Sequence, residues 1–440
     1  MALKTILVMI WDLSVIHISI LLAYYLRYLG EIPWRNLEAY ISISGGISLI
    51  AIGLLWLYEL LPYSKVKEKG DIFPATFLTT VLLNLGIMAL SYLSREFAFP
   101  RSIILIQSII IFSLLTIWRY SLFYLVKKYS PPLKLCVIGG SSEVLYIKEK
   151  IKDTSAIVLE IQVTDHTTEQ IINMIENYQS ASGEKLDGVI IGREINALVR
   201  YKIGEALILR QVRVYVLPLV YEILIAGGNI TSFKDIPVIE IKSDQFNGRF
   251  GVARRFMDIT FSLLLFIIFS PVMLICSLLI LLESGRPVIF KQERVTNHGK
   301  VFTLYKFRSM IQNAEELTGP TLSCDNDFRV TKVGRIIRML RFDELPQLYN
   351  VLRGDMSLVG PRPERPIFVS EITAKIPCYE LRHEIKSGIT GMAQIQGNYS
   401  TRVEDKLVWD LLYAKKHNPL MDINLILKTV KTMLTIRKAS

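Results

Sequence analysis

"FMDITFSLLLFIIFSPVMLICSLLILL", Phe256 to Leu282, exceeds the roughly 20 apolar residues that a helix needs to cross a bilayer core. Its flanks argue against a simple crossing. Arg249, Arg254 and Arg255 precede it, and Arg286, Lys291 and Arg294 follow. Positive charge at both ends favours both ends on the cytoplasmic side. Ser270-Pro271 stands mid-run. A proline there removes one backbone hydrogen bond, and a neighbouring serine hydroxyl can serve the freed carbonyl. The stretch reads as a helix that enters the membrane, bends at Ser270-Pro271 and returns. A straight fifth span is the rival reading.

Four further apolar runs lie upstream: Ile6–Leu26, Ala39–Leu61, Phe73–Leu93 and Ile103–Val126. Each has spanning length, which predicts a four-helix transmembrane bundle over residues 1–130. The first run ends in "LLAYYLRYLG" with no small-residue cleavage site, so it reads as a span and not as a removable signal peptide. Lys4, then Lys65, Lys67 and Lys69, then Lys127, Lys128 and Lys134 mark alternate connections. Arg27, Arg35, Arg95 and Arg101 in the others are diluted by acids. This asymmetry places the N-terminus, the second loop and everything after residue 126 in the cytoplasm. Asp12 and Arg119 lie about 10 and 12 Å into the first and fourth spans. Opposite charges at matched depth predict an ion pair inside the bundle, with snorkelling of Arg119 as the alternative. Cys136, Cys276, Cys324 and Cys378 form no C-x-x-C pair and read as reduced thiols.

From about residue 132 the texture changes. "KLCVIGG", "IVLEIQV", "DGVIIG" and "VRVYVLPL" are β-branched runs separated by helix-like polar stretches. They predict a small parallel α/β sheet over residues 132–242. Gly139-Gly140-Ser141-Ser142 follows the first strand and invites a dinucleotide reading. G-x-G-x-x-G is absent, however, and a scaffold or regulatory module is the plainer expectation.

Residues 284–440 carry 25 lysines and arginines against 16 acids, a net +9 of the chain's +11. Basic surface beside a membrane suits anionic headgroups and phosphorylated substrates. No recognition helix or RNA-binding aromatic motif is present, so nucleic acid is not an expected partner. "TKVGRIIRML" reads as a helix opened by Thr331, and "LPQLYNVL" as the next, with Pro346 in its first turn. Asp343 and Glu344 then fall at a helix N-terminus, where N–H groups and the dipole favour anions. Arg338 and Arg341 precede the pair. Arg353, Arg362 and Arg365 follow, the last two in "GPRPERP", whose prolines hold the guanidinium forks in place. Carboxylates among such cations are expected to stay ionised with lowered pKa, able to act as nucleophiles or to hold Mg²⁺ with substrate phosphates. Taken alone, an Asp-Glu pair would be an ordinary capping pair. "MDINLILKTVKTMLTIRK" sets Ile423, Leu427, Val430 and Leu434 on one face of an amphipathic helix, which suits either the membrane surface or the domain core.

"SGRPVIFKQERV", "GKVFTLYKFRSM", "RFDELPQLYNVLRGDMSLVGPRPE" and "RHEIKSGITGMAQIQGNY" together resemble the bacterial polyprenyl-phosphate hexose-1-phosphate transferases. These are the monotopic phosphoglycosyl transferases that start exopolysaccharide, capsule and O-antigen repeat units. The resemblance covers residues 246–440. Upstream, the architecture is similar to the family's large form. That form has a membrane α-helical bundle (1–130), a Rossmann-like α/β domain (131–245) and an α-rich catalytic domain (246–440) whose re-entrant helix spans 254–283.

The resemblance implies transfer of hexose-1-phosphate from a UDP-sugar to undecaprenyl phosphate, with release of UMP. The reaction would take place at the cytoplasmic face of the bacterial inner membrane. It implies that Asp343 and Glu344 are catalytic and bind Mg²⁺, with Asp343 attacking the sugar-bearing phosphorus. Arg338 and Arg362 would hold substrate phosphate, with Arg341, Lys306 and Arg308 as further candidates. Gln394, Gln396 and Gly397 are candidates for the nucleotide-sugar pocket, and Ser270 and Pro271 for the break in the membrane helix. Thr296, Ser387 and Met392 depart from the family's usual glycine, proline and tryptophan near that pocket, so no particular sugar is inferred. Glu344 as base toward the lipid phosphate and Glu344 as metal ligand both stay open. So does direct displacement, with Asp343 only a metal ligand. The rival classes are a non-catalytic assembly or regulatory protein, a UDP-releasing glycosyl transferase and a transporter. Few polar groups in the spans (Asp12, His17, Asn84, Gln107, Arg119) speak against transport. A homo-oligomer is compatible with this reading.

Overall fold

The computed structural model describes residues 2–61, 69–96, 99–129, 132–151, 155–162, 167–183, 185–226, 228–233, 236–241, 251–312, 327–397 and 401–435. Lys65, Lys67, Arg249, Cys324, Asn398 and Tyr399 lie outside the described residues, as do the last residues of the amphipathic stretch. The chain forms two compact units, Tyr120–Ala226 and the remainder.

Five helices are long and apolar enough to cross a membrane. Four are α1 (Ala2–Tyr28), α2 (Trp34–Leu57), α3 (Ile72–Leu93) and α4 (Arg101–Tyr129). Prolines stand only at their edges: Pro33 caps α2, and Pro74 sits in the first turn of α3. Ile16, Ile20, Ile43, Ile47, Leu83, Ile87 and Ile111 form one buried core drawn from all four helices. Ile10, Ile18, Leu49, Leu85 and Ile109 stay exposed, as a lipid-facing surface requires. Inside, Asp12 and Arg119 make the expected ion pair, both fully buried. Trp118 Nε1 donates to Asp12 at 3.0 Å, and Arg119 Nη1 donates to the Leu60 carbonyl at 2.7 Å. The snorkelling alternative does not hold. The second apolar run ends its helix early, at Leu57. Tyr58–Leu61 turn back, and the N–H groups of Leu60 and Leu61 both reach Leu55 O, at 2.9 and 3.0 Å.

In the unit Tyr120–Ala226, β1 (Leu133–Gly139), β2 (Ser155–Gln162), β3 (Gly188–Ile191) and β4 (Val214–Val216) form a parallel sheet in the order β2-β1-β3-β4. Between them run α5 (Ser141–Ile151), α6 (Thr168–Ser182) and α7 (Ala197–Leu209), and α8 (Val220–Ile225) follows. Ile138, Val189 and Ile191 bury against Ile171 and Ile203 of the helices. The order reverses between β1 and β3, where such sheets usually receive ligands. Here Glu143, 1% exposed, accepts from the N–H groups of Arg193 at 2.9 Å and Glu194 at 3.2 Å. The Glu194 carboxylate fills the space beside Gly140. Two carboxylates in the seat of a pyrophosphate oppose dinucleotide binding at this turn.

The other unit continues with an antiparallel hairpin, β5 (Asn229–Phe233) and β6 (Ile236–Glu240), and then α9 (Gly251–Ser284). Pro271 lies inside α9 and has no N–H for the carbonyl of Ile267, and Ser270 Oγ donates to that carbonyl at 2.8 Å. One fold holds both ends of α9. Near its start, Arg254 donates to Val359 O, Arg255 to Val351 O and Leu352 O, and Asp258 accepts from Leu358 N at 2.9 Å. Near its end, Glu283 accepts from the N–H groups of Lys332 and Val333 at 2.8 and 3.0 Å.

That fold comprises the hairpin β7 (Ile289–Val295) and β8 (Val301–Phe307), α10 (Lys332–Met339), α11 (Gln347–Arg353) and β9 (Ser357–Val359). It continues with α12 (Pro366–Lys375), a 3-10 helix (Pro377–Glu384), β10 (Gly388–Thr390) parallel to β9, α13 (Met392–Gln396), α14 (Val403–Lys416) and α15 (Pro419–Leu434). The helix α15 packs on the domain core through Asp422, Leu425 and Thr429, and not through the expected apolar face, of which Val430 and Leu434 stay exposed. Leu425 is buried, Asp422 accepts from Tyr413 OH at 2.6 Å, and Thr429 Oγ1 meets Thr390 Oγ1 at 2.6 Å.

Candidate active site

Thr331 opens α10 as its spacing predicts, its hydroxyl accepting from Gly334 N at 2.9 Å. Gly334 is required by proximity, because a Cβ there would lie 2.0 Å from the carbonyl oxygen of Ser309. The helix delivers Arg338, whose Nε donates to Ser309 Oγ at 2.7 Å. Arg341, at φ 55°, reverses the chain. Phe342–Glu344 then form a separate 3-10 turn, closed by Leu345 N to Phe342 O at 3.2 Å. The acids therefore sit one turn ahead of α11, not in its first turn, because Pro346 caps that helix and interrupts the N–H series.

Lys306 arrives from β8 and Arg362 from the loop after β9. Lys306 Nζ and Arg362 Nη2 both reach Glu344 Oε1, at 3.1 and 2.9 Å. The Asp343 carboxylate makes no hydrogen bond or ion pair among the described residues, although Lys306, Arg338 and Arg362 act on it through space. Burial and the adjacent Glu344 charge push Asp343 up to about 6, against the pull of those cations. Burial acts on Glu344 in the same direction, but Lys306, Arg362 and Arg341 outweigh it and hold Glu344 well below the usual carboxylate range. The expectation of two lowered carboxylates thus holds for Glu344 and fails for Asp343. The cations bind Glu344 directly, which leaves Asp343 with desolvation and repulsion.

The loop carrying Arg362 is held from outside. Gly388 N donates to Pro361 O at 2.9 Å and Arg382 Nη2 to Arg362 O at 3.0 Å. Arg294 Nη1 donates to Pro363 O at 3.0 Å, and Val295 N to Glu364 O at 2.9 Å. Arg382 is itself fixed by Asp410, with Nε and Nη2 at 3.1 and 2.8 Å from Oδ2, and both side chains are buried. The sequence reading missed Arg294, Arg382 and Asp410. Arg382 opens the fourth motif, but nothing local points to a partner in a later helix.

Other expected residues lie elsewhere. Arg308 Nη2 donates to Ser284 O at 2.6 Å and Gly285 O at 2.7 Å, capping the end of α9 in place of binding at the acids. Gln394 Nε2 donates to Ile389 O at 3.1 Å, Gln396 is exposed, and Gly397 N closes α13 on Ala393 O. None of these four hydrogen-bonds to the acid pair. Arg353 pairs with Asp355 at 3.5 Å, and Arg365 lies over Phe368. Ser270-Pro271, the expected break, lies inside the unbroken α9, and it does come close, since the ring of Phe269, next to Ser270, lies 6.4 Å from that of Phe342, next to Asp343.

Among the described residues no group of three or more His, Cys, Asp or Glu is placed to hold a metal. The open Asp343 carboxylate and Glu344 Oε2 offer hard oxygen donors to an ion that takes its other ligands from substrate phosphate and water. Mg²⁺ is usually bound this way, so the residues fit it.

A carboxylate pair among cations beside a long apolar helix has the chemistry to receive a phosphorylated group near a membrane. The family described as "Bacterial sugar transferase" matches residues 250–436. A UDP-N-acetylgalactosamine-undecaprenyl-phosphate N-acetylgalactosaminephosphotransferase of Aeromonas hydrophila is 44% identical over 189 residues, 42% of this chain and 44% of that protein. A UDP-glucose:undecaprenyl-phosphate glucose-1-phosphate transferase of Escherichia coli (strain K12) is 36% identical over 224 residues, 49% of this chain and 48% of that one. An uncharacterised sugar transferase of Bacillus subtilis (strain 168), EpsL, is 41% identical over 183 residues, 42% of this chain and 88% of that protein. The chain belongs to the bacterial sugar transferase family. It spans just under half the length of the first two relatives.

Proposed function

We propose that the protein transfers a hexose-1-phosphate from a UDP-sugar to undecaprenyl phosphate, releasing UMP and initiating a polysaccharide repeat unit. One observation carries the chemistry. The pair is divided into a clamped Glu344 and an open Asp343. Burial and the Glu344 charge raise Asp343 against its cations, and its oxygens make no hydrogen bond among the described residues. An Asp343 oxygen attacks the sugar-bearing phosphorus, the bond from that phosphorus to the bridging oxygen breaks, and UMP leaves with that oxygen. A lipid phosphate oxygen then attacks the same phosphorus and expels the carboxylate intact. Lys306, Arg338 and Arg362 stabilise the charge on the phosphate oxygens. Mg²⁺ held by Asp343 and Glu344 would supply further neutralisation there.

The proposed membrane placement is supported by α9. One fold grips both of its ends, and its middle touches the residue beside the charged pair. A helix crossing about 30 Å of hydrocarbon would draw those polar contacts into lipid. This supports a helix that dips into one leaflet and returns. The positive-inside asymmetry supports the cytoplasmic leaflet of the bacterial inner membrane. We read the four-stranded parallel sheet as the Rossmann-like domain of the family's large form.

The test is half-reaction chemistry. UDP-sugar without lipid should release up to one equivalent of UMP and leave a sugar phosphate mass on Asp343, and Asp343→Asn should abolish both. Release of UDP would overturn the reaction. UMP release that requires lipid, with no adduct, would replace the covalent route by direct displacement. Thiols introduced as Val252→Cys and Lys291→Cys should both resist labelling from outside spheroplasts, and labelling at 291 alone would establish a full span.

A further inference from the structure

The buried Asp12–Arg119 pair of the bundle anchors one turn. Arg119, fixed by Asp12, donates to Leu60 O at 2.7 Å, and Leu60 and Leu61 are buried. Between this anchor and α2 stands Glu59 at φ 61°, a conformation that glycine adopts without strain and other residues do not. Strain retained in a turn implies a compensating contact. Glu59 Oε1 meets Lys428 Nζ at 2.7 Å, and Lys431 Nζ donates to Tyr58 O at 3.4 Å. Both lysines project from α15. Elsewhere on this helix, Thr429 is bonded to Thr390 at 2.6 Å. That residue ends β10, whose Gly388 N holds Pro361 O at 2.9 Å, one residue before Arg362. A short series of bonds therefore links the intramembrane ion pair to the arginine that clamps Glu344.

We propose that Glu59 and Lys428 form a latch by which the bundle positions the catalytic domain and sets the depth of the acid pair against the bilayer. The inference rests on the reaction proposed above. Neither residue touches substrate. A soluble UDP-sugar reaches the site at any depth, whereas a polyprenyl phosphate keeps its phosphate at the headgroup level. The latch therefore bears on use of the lipid and leaves use of the nucleotide unchanged.

The test uses the full chain in nanodiscs of phosphatidylethanolamine and phosphatidylglycerol. E59K and K428E should each raise KM for undecaprenyl phosphate about 5- to 10-fold, with KM for the UDP-sugar within about twofold. The double reversal E59K/K428E should return the lipid KM to within about twofold of the parent. Single reversals that move neither KM, or both equally, would overturn the latch, as would a double variant no better than the singles. A second arm needs no turnover. Glu59→Cys/Lys428→Cys treated with a short bismaleimide should yield the peptide linked between those positions, and separate modification of the two thiols without linkage would refute it. Should the parent release no UMP, the proposed reaction fails, while the cross-link still decides the latch.

Discussion

Replacing Arg382 with leucine strands Asp410, a carboxylate 3% exposed whose Oδ2 accepts from both Arg382 Nε and Nη2. Breaking a buried pair from one side costs about 3–5 kcal/mol, because the remaining charge keeps its desolvation penalty and loses its partner. For a domain the size of the family match over residues 250–436, each kcal/mol moves the midpoint by about 2–4 °C, so unfolding should fall by about 6–20 °C. Removing both charges, Arg382→Leu/Asp410→Leu, should recover all but about 1–2 kcal/mol. Activity separates the two roles of Arg382. Its Nη2 also holds Arg362 O, so the double variant should be well folded yet still slow in UMP release. Thermal unfolding of the detergent-solubilised chain and UMP release read the two effects. A loss below about 1 kcal/mol in the single variant, or a double variant no more stable than the single, would refute the reasoning.

Three other outcomes are expected. Gly334→Ala drives a Cβ into the Ser309 carbonyl and should cost about 2–3 kcal/mol in denaturant unfolding, with UMP release reduced as Arg338 shifts from Ser309. Thr296→Val deprives the buried Ser387 N–H and hydroxyl of their acceptor at 3.3 and 3.0 Å, a loss of about 1–3 kcal/mol. Adding Ser387→Ala should cost little more, which a double-mutant cycle measures. Burial pushes the Cys136 thiol up to about 12, so at pH 8 it stays protonated; maleimide should label the exposed Cys378 and leave Cys136 unmodified until the chain unfolds, as peptide masses will show.

Features governed by local rules were legible in the sequence. Hydropathy located α1, α3 and α4, and helix geometry put Asp12 beside Arg119. The Thr331 cap and the service of Ser270 to Ile267 followed from hydrogen-bond accounting. The end of α2 was not legible, because Tyr58, Leu60 and Leu61 are apolar whether they continue a helix or turn back. Motifs gave the cations around the acid pair but not their allocation. Arg308 went to a helix end, and Lys306 and Arg362 both took Glu344, which reversed the expected shift at Asp343. Thr296 and Ser387 looked like independent departures from the family pattern. In the fold Ser387 Oγ donates to Thr296 Oγ1 at 3.0 Å, a pairing across 91 positions that no window reveals.

The loop around Arg362 bears on the timing of synthesis. Pro361, Pro363 and Pro366 have no N–H, so the segment cannot brace itself. Its carbonyls wait for donors from residues 294, 295, 382 and 388, and residue 382 in turn waits for 410. A ribosome completes the membrane helices, residues 294 and 295 and both acids of the pair before residues 382, 388 and 410 emerge. Contacts so distant in sequence form last. A nascent chain already lodged in the bilayer thus gains its brace on the Arg362 loop only after Arg382, Gly388 and Asp410 have folded.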